Sequence, residues 1–362
     1  MNKLSLLLMV LSLSIAVYAW PGTQITSDAE DHYSPESAAG QNAVVYTCGN
    51  TNICSDVRGG GSETIISSTS NAYHPDINSE GEIAYGQPNG SYNVIYTYIS
   101  GVESQLNTGK NNSYNPDMCP DGDTIAYYRK AGDARYHIFK VVISTNVSTQ
   151  LTSGAFIDGE GVNSEGIIDC GDTDIVFTRC TVGYGYCNIA KVPIAGGAVT
   201  NLTTDDGSNS FDTPQWNVDY TKVVFTGNWN PTGGNVTVFT VDANGANFAN
   251  ITTGWSNYFW PFTCPNATYA VRRDAGFNYY ISQIQPSILD DLDTTVYDYP
   301  SCDAVASFDI FYSKNDGSND QITQEHFADP PGPGLVPEFS TITLLLAALI
   351  ALGGIFAFRR YR

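Results

Sequence analysis

The sequence predicts an all-β fold, a seven-bladed β-propeller, from three observations. A short strand-like segment recurs seven times along the chain, at a period of roughly 40 to 50 residues. An aromatic residue followed two positions later by proline precedes most copies, and Gly/Asn turns and further strand-like segments follow them. Such periods, built from short antiparallel strands, are typical of propeller blades.

The copies give the order of the blades. They lie at residues 43–47, 82–86, 124–128, 174–178, 222–226, 268–272 and 309–313. A single strand-like stretch, 320–324, follows the last copy. Because 23–27 resembles the blade-ending segment 149–153, we expect the N-terminal strand to complete the last blade and remove an exposed edge. A six-bladed ring with a ragged end is the alternative.

The third repeat resembles a known pattern. Residues 115–127, Asn-Pro-Asp-Met-Cys-Pro-Asp-Gly-Asp-Thr-Ile-Ala-Tyr, are similar to the Pro-X-Trp-Ser-Pro-Asp-Gly-Lys-X-Ile-Ala-Phe motif of TolB-like, WD-repeat-like propellers. Met118 stands at the usual Trp and Cys119 at the usual Ser. The matching residues are Pro116, Pro120, Asp121, Gly122, Ile125 and Ala126. The resemblance covers residues 23 to 327 and implies an architecture rather than a function.

Residues 1–19 have the three-part layout of a secretory signal peptide. Lys3 precedes an apolar run, and the small residues Val17 and Ala19 flank Tyr18, which predicts cleavage after Ala19. The run of about 14 apolar residues is short for a membrane-spanning helix. We therefore expect export of a propeller domain at residues 20–328.

The C-terminal region predicts a surface anchor. Residues 329–339 form a Pro/Gly-rich stalk, because proline fixes φ and lacks a backbone donor. Residues 340–362 predict one transmembrane helix with a cytoplasmic arginine tail. Pro337, Glu338 and Phe339, followed by this helix, resemble the archaeal PEF-type sorting signal, which implies processing by an archaeosortase, a membrane transpeptidase. A plain membrane anchor is the alternative, and either one predicts a membrane-anchored protein at the cell surface.

Charge and cysteine content narrow the environment and the partners. The net charge of −21 argues against nucleic acid as a partner, because binding to its phosphates requires Lys and Arg side chains.

Eight cysteines in an exported chain favour disulfides. Spacing makes Cys48–Cys54 and Cys180–Cys187 candidates for closing hairpins, and Cys119–Cys170 and Cys264–Cys302 candidates for linking blades, although eight cysteines allow 105 pairings. Candidate glycosylation sequons begin at Asn89, Asn111, Asn146, Asn201, Asn235, Asn250 and Asn266.

Motifs for catalysis are missing from the sequence. It contains neither a Gly-X-Ser-X-Gly elbow, nor His-Glu-X-X-His, nor a phosphate-binding glycine loop. Peptidases with a TolB-like propeller also need a separate hydrolase domain, for which no residues remain. We therefore expect a protein that is not an enzyme and has no redox cofactor.

Acidic and histidine residues ahead of the repeated strands are expected near the channel of the ring. Converging carboxylates there would suit Ca²⁺, which takes six to eight oxygen ligands, whereas Asp in turns also accepts backbone N–H bonds without any ligand. The candidates for a channel ligand or metal site are Asp31, His32, His74, Asp76, Asp117, Asp158, Glu160, Asp212 and Asp298.

The functional prediction is a binding or scaffold module with an unknown protein or carbohydrate ligand. The best candidates for a carbohydrate platform are an aromatic cluster and, second, Trp229 in a Gly/Asn turn, although aromatic residues also fill space between blades. The cluster consists of Trp255, Tyr258, Phe259, Trp260 and Phe262. Two alternatives stay open: a metal-dependent channel enzyme of the polysaccharide lyase or hydrolase type, and a structural component of the envelope.

Overall fold

The computed structural model describes residues 23–27, 30–38, 41–49, 51–58, 63–67, 71–109, 111–160, 168–183, 186–204, 210–228, 236–252, 257–264, 267–273, 279–285, 293–294, 300–302, 308–315 and 319–327. One unit, Met1–His326, contains the propeller, and a second unit spans Phe327–Arg362. The predicted signal peptide, stalk, sorting motif and C-terminal helix lie outside the described residues. Within the described part of the chain, no helix has the length and hydropathy needed to cross a membrane.

Seven antiparallel sheets, one for each predicted repeat, form the blades. The closing strand is β1 (Thr23–Gln24), and blade 1 contains β2 (His32–Ser37), β3 (Ala43–Cys48), β4 (Asn52–Val57) and β5 (Thr64–Ile65). Blade 2 contains β6 (Tyr73–Ile77), β7 (Ile83–Asn89), β8 (Tyr92–Ile99) and β9 (Val102–Gln105). Blade 3 contains β10 (Ser113–Met118), β11 (Thr124–Lys130), β12 (Tyr136–Val142) and β13 (Val147–Gln150).

Blade 4 differs because its innermost strand is split. It contains β14 (Phe156–Asp158), β15 (Ile168–Cys170), β16 (Asp174–Thr181), β17 (Cys187–Pro193) and β18 (Thr200–Asn201). Blade 5 contains β19 (Ser210–Trp216), β20 (Lys222–Asn228), β21 (Val236–Asp242) and β22 (Ala249–Asn250). Blade 6 contains β23 (Asn257–Cys264), β24 (Ala267–Arg273), β25 (Tyr279–Gln285) and β26 (Asp293–Thr294), and blade 7 contains β27 (Ser301–Cys302), β28 (Phe308–Asn315) and β29 (Asp320–Phe327).

The seven-bladed prediction is confirmed, and each of the seven repeated segments is the second strand of its blade. The ring closes as the sequence predicts, because β1 pairs with β29 through Thr23–Gln324 and Gln24–Thr323. The closing segment is also fixed by a side chain, since Ile322 N–H donates to Thr26 Oγ1 at 2.9 Å. The last blade is therefore completed by the N-terminal segment, and the six-bladed alternative does not fit.

The hydrophobic core lies between neighbouring blades. The repeated strands supply it, because their centres are buried on both faces and carry β-branched and aromatic side chains. One cluster joins Val176 and Ile189 of blade 4 to Phe211 and Phe225 of blade 5. Another joins Val44 and Tyr46 of blade 1 to Phe311 of blade 7, across the closure. This packing holds the innermost strands around a common axis.

Candidate binding site in the central channel

The innermost strands of five blades share a β-bulge at a residue that precedes proline. The pairing register shifts there, and the residue before proline has a positive φ. These residues are Ser34 (φ 48°), His74 (φ 46°), Asn115 (φ 47°), Thr213 (φ 52°) and Trp260 (φ 43°). A positive φ is unfavourable for β-branched and bulky residues, so blades 5 and 6 adopt this conformation at a higher energetic cost than the others.

A cavity of about 350 Å³ lies on the axis, with lining residues from the innermost strands of all seven blades. One corresponding position of the innermost strand lines the cavity in every blade, and in blades 1, 2, 3, 5 and 6 it lies two residues after the bulge. In blades 1 to 4 these residues form what we call the acidic arc: Glu36, Asp76, Asp117 and Asp169. In blades 5 to 7 they form the neutral arc: Gln215, Phe262 and Ser301. The cavity is thus acidic on one side only.

Three carboxylates of the acidic arc each accept a backbone hydrogen bond from the next blade. Asp76 Oδ2 accepts from Met118 N–H at 2.5 Å, and its Oδ1 accepts from Ile77 N–H at 2.8 Å. Asp117 accepts from Cys170 N–H, and Asp169 accepts from Trp216 N–H at 2.6 Å. These side chains therefore link the innermost strands of blades 2 to 5 while they line the cavity.

Burial and mutual repulsion make this arc unfavourable for full ionisation. Burial raises the pKa of Asp76, although the N–H groups of Met118 and Ile77 oppose the shift. The pKa of Asp117 lies well above its usual range, because Asp117 is buried and faces the charges of Asp76 and Asp169. Burial, with the charge of Asp76, raises the pKa of Asp169 to about 7. A cation in the cavity would offset this repulsion.

Two uncharged polar side chains, those of His74 and Ser301, also line the cavity. Burial lowers the pKa of His74 to about 4, so its imidazole is uncharged at neutral pH. Ser301 is 7% exposed, and its Oγ has no hydrogen-bond partner among the described residues.

A metal ion needs ligand atoms that converge. Among the described residues, the only three Asp, Glu, His or Cys ligand atoms that lie within 4.8 Å of one another belong to Cys48, Cys54 and Glu63. Those cysteines form a disulfide, so they are not thiolate ligands. No three carboxylate oxygens of the acidic arc lie within 4.8 Å of one another, although the Asp76 and Asp117 side chains are close enough to share a hydrogen bond. The arc therefore suits a cation held by two carboxylates and neutral oxygens, or a larger cationic group.

The nine predicted channel residues separate into several locations. His74, Asp76 and Asp117 line the channel cavity, and Asp212 lines a second, smaller one. Asp298 lies outside the described residues. The other four do not line the channel cavity: Asp31, His32, Asp158 and Glu160.

Two pairs of these residues lie at blade boundaries. Asp31 accepts from Asp320 N–H at 3.0 Å, and the His32 ring contacts Glu63 at 3.1 Å and the carbonyl of Asp320 at 3.3 Å. Asp158, between blades 3 and 4, contacts His137 at 3.5 Å and Arg179 at 3.3 Å, and Glu160 follows it on the same segment. These contacts hold blades together.

Sequence reasoning missed Glu36, Asp169, Gln215 and Ser301. A simple signal was present for three of them, because they directly follow Pro35, Pro214 and Pro300 just as Asp76 follows Pro75. Asp169 has no such proline, since blade 4 has an insertion between β14 and β15 where blades 1, 2, 3, 5 and 6 have the bulge. Only its pairing with Val176 identifies its position.

All eight cysteines are paired in the structure, and none is free. The bonds join Cys48 to Cys54, Cys119 to Cys170, Cys180 to Cys187 and Cys264 to Cys302. The second and fourth bonds connect neighbouring blades, and the other two close hairpins.

The described sequons begin at Asn89, Asn111, Asn146, Asn201 and Asn250, all exposed, whereas Asn235 and Asn266 lie outside the described residues. In two of these sequons, the threonine makes a hydrogen bond that is part of the blade. Thr203 and Thr252, the third residues of the sequons at Asn201 and Asn250, accept backbone N–H bonds at 2.9 and 3.2 Å. Thr152 makes the same bond without a sequon. Packing of the outer strand therefore explains these two threonines without a glycan.

Comparison with known proteins identifies only the fold. No family model matches the chain, and no curated protein matches it. Oligogalacturonate lyase from Vibrio parahaemolyticus is 9% identical with a TM-score of 0.62, over 83% of this chain and 92% of that chain. The propeller domain of the Trilobed protease from Pyrococcus furiosus, described as having an open velcro topology, is 11% identical with a TM-score of 0.57, over 86% and 100%.

A putative TolB from Agrobacterium tumefaciens is 14% identical over 74% of this chain and 94% of that chain, with a TM-score of 0.49. The chain spans about half the length of the peptidases that it resembles, covering 50% and 54% of two of them. At these identities the similarity to the structures with TM-scores above 0.5 supports a shared β-propeller fold and says nothing about activity.

Proposed function

We propose that this protein is a surface-anchored binding module whose channel accepts a positively charged group of a protein partner. The acidic arc is the observation that supports this function most directly. Its buried carboxyl groups repel one another, so a lysine or arginine side chain that enters the cavity would relieve the repulsion and replace lost hydration with charge-assisted hydrogen bonds. No three of the carboxylate oxygens lie within 4.8 Å of one another, which favours such a group over a single small metal ion.

A metal-dependent channel enzyme is the competing function. His74, uncharged at neutral pH, shares the cavity with Asp76 and Asp117, and this combination favours the alternative. A neutral imidazole is a common metal ligand. The proposal without catalysis rests on the missing motifs and on the lack of three converging carboxylate oxygens in the channel among the described residues.

Ligand-induced stabilisation tests the channel, since a ligand that binds only the folded state raises Tm. We would measure Tm at pH 7.5 with a short lysine-containing peptide and, separately, with CaCl₂. We expect the peptide to raise Tm in the natural protein and to lose most of this effect in Asp117→Asn and Asp169→Asn. Asp172→Asn, which removes an exposed carboxylate outside the cavity, is the matched control. Stabilisation by CaCl₂ alone, lost in the same variants, would instead support a metal site.

Export and anchoring complete the proposal. The signal-like residues 1–19, the Pro337-Glu338-Phe339 motif and the apolar segment after it support an archaeosortase substrate, and four disulfides fit an oxidising exterior. Intact mass of protein from the native envelope, compared with a variant in which all three motif residues are alanine, tests this part. A chain that starts at Trp20 and ends near the motif supports processing. Native protein that retains Arg362 would leave a plain membrane anchor.

A further inference from the structure

A second cavity of about 250 Å³ lies between blades 5 and 6, apart from the acidic arc. Blade 5 contributes Asp212, Thr213, Thr226 and Val236. Blade 6 contributes Phe259, Trp260, Arg273 and Tyr279. One side is therefore rich in hydroxyl and carboxylate oxygens, and the other is aromatic with one cation. Trp260 also lines the channel cavity, so this residue borders both spaces.

The polar side of this cleft is fixed before any ligand arrives. Asp212 Oδ1 accepts from Thr178 Oγ1 and from Thr213 N–H, both at 2.9 Å. Thr213 and Thr226 join their hydroxyls at 2.7 Å, and both residues are buried. Val236 N–H donates to Asn257 Oδ1 at 3.0 Å, which ties the two blades together at the cleft. Such pre-organisation lowers the entropic cost of binding.

The aromatic side combines flat apolar surfaces with a guanidinium. The ring centroids of Phe259 and Trp260 lie 6.0 Å apart, and those of Phe259 and Tyr279 lie 6.4 Å apart. Arg273 Cζ lies 5.3 Å from the Phe259 ring centroid and 6.0 Å from that of Tyr279. The guanidinium therefore occupies the position over these rings that a cationic ligand would need.

The backbone supports a functional role for the cleft. Thr213 and Trp260 both have positive φ at the bulge, whereas the corresponding residues in blades 1 to 3 are Ser34, His74 and Asn115. A β-branched or bulky aromatic residue tolerates this conformation poorly. Strained residues of this kind cluster at ligand-binding sites, and here both of them line the same cavity.

The charges and shape select one class of ligand. Asp212 and Arg273 both line the cleft, so any net charge on a ligand would be attracted by one and repelled by the other, and neither sign is favoured. A purely apolar molecule would desolvate both without hydrogen bonds. A sugar ring has an apolar C–H face for the aromatic side chains and hydroxyl groups that both donate and accept. The volume is slightly below the roughly 300–1,000 Å³ of pockets for drug-sized ligands, which suits a single ring. We propose that the cleft between blades 5 and 6 binds one uncharged pyranose ring of a glycan.

Saturation-transfer difference NMR and calorimetry on the intact protein test this, with the methyl glycosides of glucose, galactose and mannose as probes. We expect saturable binding of at least one of them. Tyr279→Ala removes a ring on which the sugar stacks, and Arg273→Gln removes guanidinium N–H groups that would donate to the sugar hydroxyls. Each variant should therefore weaken the binding at least tenfold. Tyr92→Ala and Arg135→Gln, at exposed aromatic and cationic positions outside the cleft, are the matched controls and should leave the affinity unchanged.

Two further variants separate this site from the channel and from misfolding. Asp117→Asn should leave glycoside binding unchanged while it weakens binding of the lysine peptide, so each site can fail without the other. Arg273→Lys keeps the charge and should retain part of the affinity, with Tm as the measure of folding. Absence of saturable binding for all three glycosides would overturn the proposal. Binding that survives both cleft substitutions, or that is lost in Asp117→Asn, would overturn it as well.

Discussion

The acidic and neutral arcs occupy the same position of the innermost strand, yet the innermost strands are connected to the next blade in different ways on the two sides of the ring. In the acidic arc the side chain reaches forward, as when Asp169 accepts from Trp216 N–H of the next blade at 2.6 Å. At the junction of blades 5 and 6 the bond runs backward, because Thr263 Oγ1 donates to the carbonyl of Trp216 at 3.0 Å. The fold determines where a residue of the innermost strand lies. The identity of its side chain decides whether it also adds negative charge to the channel cavity.

Each arc has one disulfide between blades, and removing these bonds is the largest expected perturbation. Chain entropy predicts losses of about 4 kcal/mol for both the Cys119→Ser/Cys170→Ser and the Cys264→Ser/Cys302→Ser proteins, since the bonds span 51 and 38 residues. The hairpin bond Cys180–Cys187, which spans 7 residues, should be worth about 2 kcal/mol. Urea denaturation measures all three. If removing Cys264–Cys302 lowers the free energy of unfolding clearly more than removing Cys119–Cys170 does, the carboxylate hydrogen bonds of the acidic arc compensate for the loss of Cys119–Cys170.

Removing one inner side chain from each arc should give unequal results. Asp117→Ala leaves the N–H of buried Cys170 without its acceptor, which should lower the free energy of unfolding by about 1–3 kcal/mol. Ser301→Ala should be about neutral, because the buried Ser301 Oγ has no hydrogen-bond partner among the described residues. Urea denaturation at pH 5 measures both. Equal losses would show that the carboxylate does not link blades 3 and 4.

The acidic arc should also make stability depend on pH in an unusual direction. The folded-state pKa of Asp169, about 7, lies above its unfolded value near 3.8, so the folded state holds this proton more tightly. Its contribution is complete below pH 3.8 and is lost as pH rises through 7, by at most about 1.4 kcal/mol per pH unit.

Urea midpoints between pH 4.5 and 8 measure this dependence. We expect the decline to be weaker in Asp169→Asn and unchanged in Asp172→Asn, whose carboxylate is exposed and outside the cavity. A rising midpoint over this range that is the same in Asp169→Asn would contradict the raised pKa.

The smallest expected effect compares the closing blade with an internal one. Thr26 Oγ1 accepts from Ile322 N–H and Thr152 Oγ1 accepts from Ile138 N–H, each at 2.9 Å. Replacing either threonine by alanine should cost about 1 kcal/mol, measured by urea denaturation. If Thr26→Ala costs nothing while Thr152→Ala shows the expected loss, the closing strand is frayed in solution.

The fold was predictable from the sequence because its signals are local and repeated. Strand residues such as Ile125, Ala126 and Tyr127 are buried on both faces and recur in every blade with the same chemistry. The similarity of 23–27 to a blade-ending segment was enough to predict closure. Each of these features depends on its own short segment.

The site was less predictable because it depends on register and on contacts between distant segments. Asp169 belongs to the acidic arc only because β15 pairs with β16 after an insertion, which no local pattern indicates. Asp158 lies two residues before Glu160 in a region expected near the channel, but its ion pairs with His137 and Arg179 depend on how blades 3 and 4 pack. The Arg273 position over Phe259 and Tyr279 likewise requires β23, β24 and β25 to be assembled.

Closure of the ring by β1 and β29 imposes an order on biogenesis. Because β1 is the first described strand to be synthesised and β29 the last, their pairing cannot form until nearly the whole propeller has left the ribosome. A truncated product would keep an unpaired strand edge, which is a template for aggregation and a site for proteolysis. The closing contact therefore forms only in chains that contain both ends of the propeller.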